Sequence, residues 1–486
     1  MRIPPGHRFQ HDHAFNAFNP LVPEGLTVLS RRNMLKASLA GLGGLSVPGL
    51  LKHQAQAAQS GKSSTNGRSV ILLWMTGGPS HIDTWDPKPQ RPVNNRGPFA
   101  PIQTALPGTY ICEHLPKQAA MMDKFTLIRS VDPRKSSHQP NQVMQTGNLE
   151  AAPRSNPKGD RYPAIASVCS KFRGANDPTM PPYVAFYRHD SHVAWAGYLG
   201  REYDPFNGND AARLPVYSLT GQKTGGMSGG NLFSLAGGLN HERILERRSL
   251  QQQFDRLRTN LDRNGSMEAL DTYGQQAVEM VVGGKAQRAF DLSQESDSVR
   301  ARYGDHLWCQ QALLARRLVE SGVSFVTLDL SYHTASGTWD NHGIPGGVYG
   351  GISKGLQPLL PLFDHLLTTL VSDLEERGLL ENTLVIAMGE FGRTPNMGTQ
   401  GSTDGRNHWP VVMSMCMAGG GLNHSQVIGA STPDGANILE RPVTPGDLAA
   451  TIYRYMGVPV DGTYLDDRQR PRFIVEDGAP MPELFG

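Results

Sequence analysis

"TLVIAMGEFGRTPNMGTQGSTDGRNHWP", residues 383 to 410, joins six apolar-leaning residues to a long polar loop. Thr383 to Met388 shows no polar alternation, which predicts a strand buried on both faces, as in a parallel sheet. The chain then presents Glu390 and Arg393 at once and passes through several glycines to Asn407, His408 and Trp409. A solvated loop would have the same composition. What separates the two readings is whether other strand ends do likewise.

Similar apolar runs recur at Arg68–Met75, Phe125–Val131, Tyr183–Phe186, Ser324–Leu330 and Val411–Met417. Between them lie helical patterns: Leu359, Leu362, Phe363, Leu366, Leu367, Leu370 and Leu374 are spaced three and four apart and stop at Gly378. Further helices are expected over Val299–Ser321 and Asp447–Met456. Strands alternating with helices imply an α/β fold, a mainly parallel central sheet with helices on both faces. Residues 188 to 284 are glycine-rich, with a polar helical patch from His241 to Arg263 and no strong strand, and read as an insertion or cap.

The composition narrows the function classes. Among 486 residues, 46 Lys plus Arg face 44 Asp plus Glu, a net charge of +2, so the basic footprint of a nucleic-acid binder is missing. With 54 Gly and 35 Pro the chain resembles a loop-rich globular enzyme more than a helical bundle. Cys112, Cys169, Cys309 and Cys416 have no metal-ligand spacing; disulfides are open to them in an oxidising compartment, while three of the four sit in apolar helix or strand patterns, where a buried inert thiol is the commoner outcome.

The first 57 residues read as an address. Ser30-Arg31-Arg32-Asn33-Met34-Leu35-Lys36 is a twin-arginine pattern, a weakly apolar stretch runs from Ala37 to Leu51, and Ala55-Gln56-Ala57 offers a small-residue cleavage site. The expected partner is the twin-arginine export machinery and the expected location the periplasm or beyond. The apolar stretch is too short and glycine-rich to be a stable span across roughly 30 Å of hydrocarbon.

In an open parallel sheet, ligands bind beyond the carboxyl ends of the strands. The loop after the first strand carries Ser80, His81 and Asp83. The loop after Phe125–Val131 carries Ser136, Ser137 and His138. The loop after Ser324–Leu330 carries His333, Trp339, Asp340 and His342, and the opening stretch adds Glu390, Arg393 and His408. Each alone could be a helix cap or a turn. Together, imidazoles and carboxylates at four strand ends match the ligand chemistry of Zn, Mn or Fe, with Zn or Mn the expected divalent cofactor. The predicted ligands are His81, Asp83, Asp340, His342, Glu390 and His408. Trp74, Trp85, Trp339 and Trp409 lie beside them and would wall the pocket or simply pack.

Five stretches carry a family resemblance: "MTGGPSHIDTWDPKP" at 75–89, "EHLPKQAAMMDKFTLIRSV" at 113–131, "WDNHG" at 339–343, "LVSDLEERGLLENTLVIAMGEFGRTPNM" at 370–397 and "GRNHWP" at 405–410. Together they resemble the bacterial DUF1501 family, grouped with alkaline-phosphatase-like enzymes such as sulfatases, phosphodiesterases and phosphopentomutases. The resemblance runs from about residue 68 to the C-terminus. It implies phosphoryl or sulfuryl transfer by a nucleophile held against one or two metal ions. Ser137-His138-Gln-Pro140 running on to Thr146-Gly147 is similar to the sulfatase nucleophile loop, which places Ser137 or His138 at the nucleophile's station, with Ser80 as competitor. Arg393 would orient a substrate oxyanion, or else make a structural ion pair.

The chain also departs from that pattern. No C-x-P-S-R or C-x-A-S-R occurs, so no formylglycine nucleophile can form. Glu390-Phe391 stands where relatives have Asp-His, and Asn407 where many have Asp. The expectation is an exported, metal-dependent hydrolase acting on a small-molecule or glycan ester of sulfate or phosphate. The rival is a non-catalytic binding or scaffold protein that retains the fold.

Overall fold

The computed structural model describes residues 67–138, 142–230, 232–233, 284–334, 337–344 and 350–486. The twin-arginine motif and the patch from His241 to Arg263 lie outside these residues. Among the described residues, no helix is long and apolar enough to cross a membrane.

The strands that concern the site are β1 (Ser69–Trp74), β2 (Phe125–Val131), β3 (Tyr183–Phe186), β4 (Phe206–Asn207), β5 (Leu214–Tyr217), β6 (Lys223–Ser228), β7 (Phe325–Asp329), β8 (Thr383–Met388), β9 (Gly392–Arg393), β10 (His408–Trp409), β11 (Met413–Gly419) and β12 (Gln426–Ile428). Eight of them form the central sheet in the order β12-β2-β11-β8-β1-β7-β3-β4. All pairings are parallel except those of β11, which runs antiparallel to both β8 and β2. An antiparallel strand between two others leaves those two pointing the same way. The carboxyl ends of β2, β8, β1, β7 and β3 therefore share one edge.

The apolar runs become strands because both of their faces are covered. Along β1, Ile71 and Leu73 enter one core and Val70, Leu72 and Trp74 the other, the two-residue period expected of a pleated chain. Over the first face lie α1 (Leu307–Glu320) and α2 (Gln357–Glu376), and over the second α3 (Pro445–Met456). The start of α3 is fixed by a reciprocal pair of bonds: Thr444 Oγ1 accepts from the Asp447 amide, and Asp447 accepts from the Thr444 amide. Gly457, at φ 74°, ends it.

Two expectations change. The helix expected over Val299–Ser321 is two helices, Asp297–Tyr303 and Leu307–Glu320. The break falls at Gly304, whose φ of 87° is outside helical space. Within 188–284, β4 joins the central sheet and β5 and β6 form a hairpin, so its described part is more strand-bearing than its glycine content suggested. All four cysteines are free and buried.

Candidate metal centre

Glu390 follows β8 by two residues, and the chain then forms β9. The glycine-bearing loop returns as β10, antiparallel to β9, with Arg393 opposite His408. This answers what the loop is for: it brings His408 back beside the residues that leave β8. Arg406 holds it there. Its guanidinium donates to Asp83 Oδ2 at 2.6 Å, to the Pro395 carbonyl at 2.5 Å and to the Asn95 carbonyl at 2.7 Å. Gly405 passes so close to the loop after β7 that a Cβ there would stand 1.7 Å from the His342 carbonyl oxygen.

The loops after β2, β7 and β8 meet. His138 Nε2 lies 2.8 Å from His408 Nε2 and 3.4 Å from Asp340 Oδ1. His342 Nε2 is 2.9 Å from His408 Nε2 and 2.9 Å from Asp340 Oδ1. His408 Nε2 is itself 3.3 Å from Asp340 Oδ1. His138, Asp340 and His408 can each offer one ligand atom, all within 4.8 Å of one another.

The far side of His138 shows why this set fits a cation. Nδ1 is 2.6 Å from Glu390 Oε1, an acceptor that also takes the Gly77 amide at 2.9 Å. A neutral His138 that donates from Nδ1 leaves its Nε2 lone pair aimed at the nitrogen of His408. Lone pairs facing one another at hydrogen-bond distance call for a proton or a metal between them. A carboxylate behind the imidazole is the usual partner of a metal-bound histidine. Among the described residues, Glu390 Oε2 and His342 Nδ1 are buried without a hydrogen-bond partner.

Charge is balanced with the same atoms. Burial opposes ionisation of Asp340, but Arg393 and the imidazoles of His138, His342 and His408 hold its carboxyl well below the usual carboxylate range. Burial alone would lower His138, yet its bonds to Asp340 and Glu390 raise it above the ordinary imidazole value. His408 goes the other way, lowered chiefly by burial. Its side chain is 41% exposed, so it forms the open edge of the cluster.

Three of the six residues predicted as ligands, Asp340, His342 and His408, are brought together, with Glu390 one bond behind. His81 and Asp83 do not fall within the same group of converging ligand atoms. His81 is fully buried with Nε2 on the Gly435 carbonyl at 2.9 Å, and burial pushes its imidazole down to about 4. Asp83 is tied to Arg406, both side chains wholly buried. Ser80, the competing nucleophile, is fully buried, and its Oγ donates to Asp83 Oδ2 at 2.5 Å. Arg393 is a strut. Its donors go to the carbonyls of Gly77, Gly78, Trp339 and Arg406 and to Asp340, the contacts of the structural ion-pair alternative.

His138 is the ligand candidate that the sequence reading placed at the nucleophile's station. The signal for it was present, an imidazole after a buried strand. Ser137, immediately before it, is half-buried. Val143–Thr146 form a short helix that ends at Gly147, φ 69°. Trp74, Trp85 and Trp339 are fully buried and pack, and half-buried Trp409 donates to the Ala436 carbonyl at 2.7 Å.

The family profile described as "Protein of unknown function (DUF1501)" matches residues 67–485. The chain is a DUF1501 protein. No curated protein matches its sequence. Among solved structures, this DUF1501 chain is similar to the PsFucS1 sulfatase from Pseudoalteromonas sp., with 14% identity, TM-score 0.35, and 83% of this chain and 70% of that one covered. It is similar also to the lipoteichoic acid synthase LtaP from Listeria monocytogenes (9%, 0.33, 82% and 73%). A third is the phosphonate monoester hydrolase SpPMH from Silicibacter pomeroyi (10%, 0.32, 85% and 75%). At these values the likenesses assign neither substrate nor reaction to the DUF1501 chain.

Proposed function

We propose that this DUF1501 protein is a metal-dependent hydrolase of a sulfate or phosphate ester, exported by the twin-arginine route to the periplasm or beyond. The observation that carries the reading is the convergence of His138 Nε2, His408 Nε2 and Asp340 Oδ1 at the carboxyl edge of the sheet. Those three residues, with His342 against two of them, would hold a divalent cation, Zn or Mn by the chemistry of imidazole and carboxylate donors. When bound, such an ion supplies Lewis-acid polarisation of an ester oxygen.

The chain's own groups prepare the site. Glu390 fixes the tautomer and the tilt of His138 through Nδ1. Arg393, at 2.6 Å from Asp340 Oδ1, holds that carboxylate ionised and in place. Ser137 is the candidate nucleophile by resemblance, and a hydroxyl in that role must lose its proton to a neighbouring base. The exposed edge at His408 is where a small-molecule or glycan ester would enter.

Metal analysis of the full chain purified from its native compartment tests the reading, with at least one equivalent expected. A panel of aryl sulfates and phosphate mono- and diesters then compares the wild type with His408→Ala and Asp340→Ala. Loss of both metal and turnover in these variants is expected. Turnover unchanged by both substitutions would remove the cluster from the mechanism and leave the scaffold reading.

A further inference from the structure

A second concavity opens at the same edge of the sheet, beyond β3 and β7. Tyr187 and Arg188 line it directly after β3, and Asp329, Ser331 and Tyr332 line it at the end of β7. The β5–β6 hairpin and α1 close its other sides. Its volume is about 160 Å³, room for roughly ten water-sized occupants. That suits one small ring and excludes a peptide or a nucleic-acid strand.

One wall is an aromatic platform. Tyr217 stacks on Tyr332 with ring centroids 5.5 Å apart and planes 15° from parallel, and Tyr332 stacks on Trp308 at 4.6 Å and 12°. Trp308 stacks in turn on Trp339 at 6.3 Å, the residue before Asp340. The platform is thus continuous with the loop that carries the metal-centre carboxylate. Stacked rings lose little freedom when a ligand arrives, so the platform is ready before binding.

The rest of the wall is polar and planar. Gln311 is 4% exposed, and its Oε1 has no hydrogen-bond partner. Its Nε2 donates to Asn209 Oδ1 at 3.3 Å, and Asn209 Nδ2 donates to the Tyr187 carbonyl at 2.8 Å. The Arg188 guanidinium donates from Nε to the Tyr332 carbonyl at 3.1 Å. Its terminal nitrogens have no hydrogen-bond partner among the described residues. The floor carboxylate of Asp329 is already occupied by Thr76, the Arg188 amide and His192. A guanidinium edge asks for an oxygen, and an aromatic plane takes a C–H face. A pyranose offers both around one ring.

We propose that this cavity binds a sugar ring, resting against Tyr217 with an oxygen toward Arg188, as a recognition subsite beside the metal centre. It deepens the ester-hydrolase reading by giving the substrate a sugar unit. Because binding is measured without turnover, failure of one reading is distinguishable from failure of the other.

The test uses the full chain with galactose, galacturonate and adenosine as probes, followed by saturation-transfer NMR and calorimetry. Saturable binding of at least one sugar is expected, weakened roughly five- to tenfold by Tyr217→Ala and unchanged by His408→Ala. Preference for galacturonate that Arg188→Ala removes would show that Arg188 reads a carboxylate, and equal binding of both sugars that it reads a hydroxyl. If Tyr217→Ala does not fold, Ser228→Trp, placed on the exposed strand β6 at the cavity wall, is expected to block binding instead. No saturable sugar binding, binding of adenosine alone, binding untouched by these cavity variants, or binding lost with His408→Ala would each overturn the proposal.

Discussion

The Asp83–Arg406 pair separates a structural reading of the first loop from a ligand reading by measurement. Both side chains are fully buried, with Nε 2.6 Å from Oδ2 and Nη2 3.3 Å from Oδ1. Asp83→Ala leaves the guanidinium buried without its counter-charge, a change that typically costs about 3–5 kcal/mol. At roughly 2.1 cal/mol/K per residue, the about 420 residues of Gly67–Gly486 unfold with an entropy near 0.9 kcal/mol/K. The expected fall in Tm is therefore about 3–6 °C. Arg406→Ala strands the carboxylate in the same way and should cost a similar amount. The double variant should cost much less than the two together, with a coupling energy of about 2 kcal/mol or more. Urea unfolding of the wild type, both single variants and the double variant measures it. Additive losses, or metal lost from Asp83→Ala with the urea midpoint unchanged, would refute the reasoning and return Asp83 to the ligand set.

Glu390→Gln keeps every proposed ligand and removes only the charge behind His138, so metal affinity should fall about 10- to 100-fold in competition with a chelator. His81 gives a pH test. Its folded value of about 4 lies below the unfolded 6.5, so the unfolded chain binds the proton first and stability drops as pH falls from 6.5 towards 4. That loss approaches about 3 kcal/mol, and His81→Asn should flatten that part of a stability-against-pH curve. Gly147→Ala should destabilise by more than about 1 kcal/mol, because φ is 69° and the new Cβ would stand 2.3 Å from that of Ala449. Thermal unfolding reads this directly, and an unchanged Tm would contradict the packing of α3 against that turn.

How much of this the sequence disclosed depends on the range over which each feature is determined. The strands at Phe125–Val131, Tyr183–Phe186 and Thr383–Met388 were readable to the residue, since burial on both faces leaves an unbroken apolar run. Val411–Met417 was readable as a strand but not as an antiparallel one, because direction is set by the partners and not by the run itself. The break at Gly304 was missed because apolar spacing continues across it, and only the positive φ betrays it.

The site divides along the same line. That loops after β2, β7 and β8 would meet follows from the parallel order of those strands, and Asp340, His342 and His408 were named on that ground. Which polar residues point inward is decided by what else lies within reach, and no local pattern encodes that. Asp83 and Arg406 are 323 positions apart in the chain, yet they pair, and Ser80 donates to the same carboxylate. Arg393 is engaged in the same manner, by three carbonyls on two other loops that take its donors. His138 gains its role by the reverse process, since Glu390 occupies Nδ1 and thereby turns Nε2 toward His408. In each case a buried charge or imidazole takes the partner that satisfies it. The candidate metal centre is made of the groups left facing one another once those demands are met.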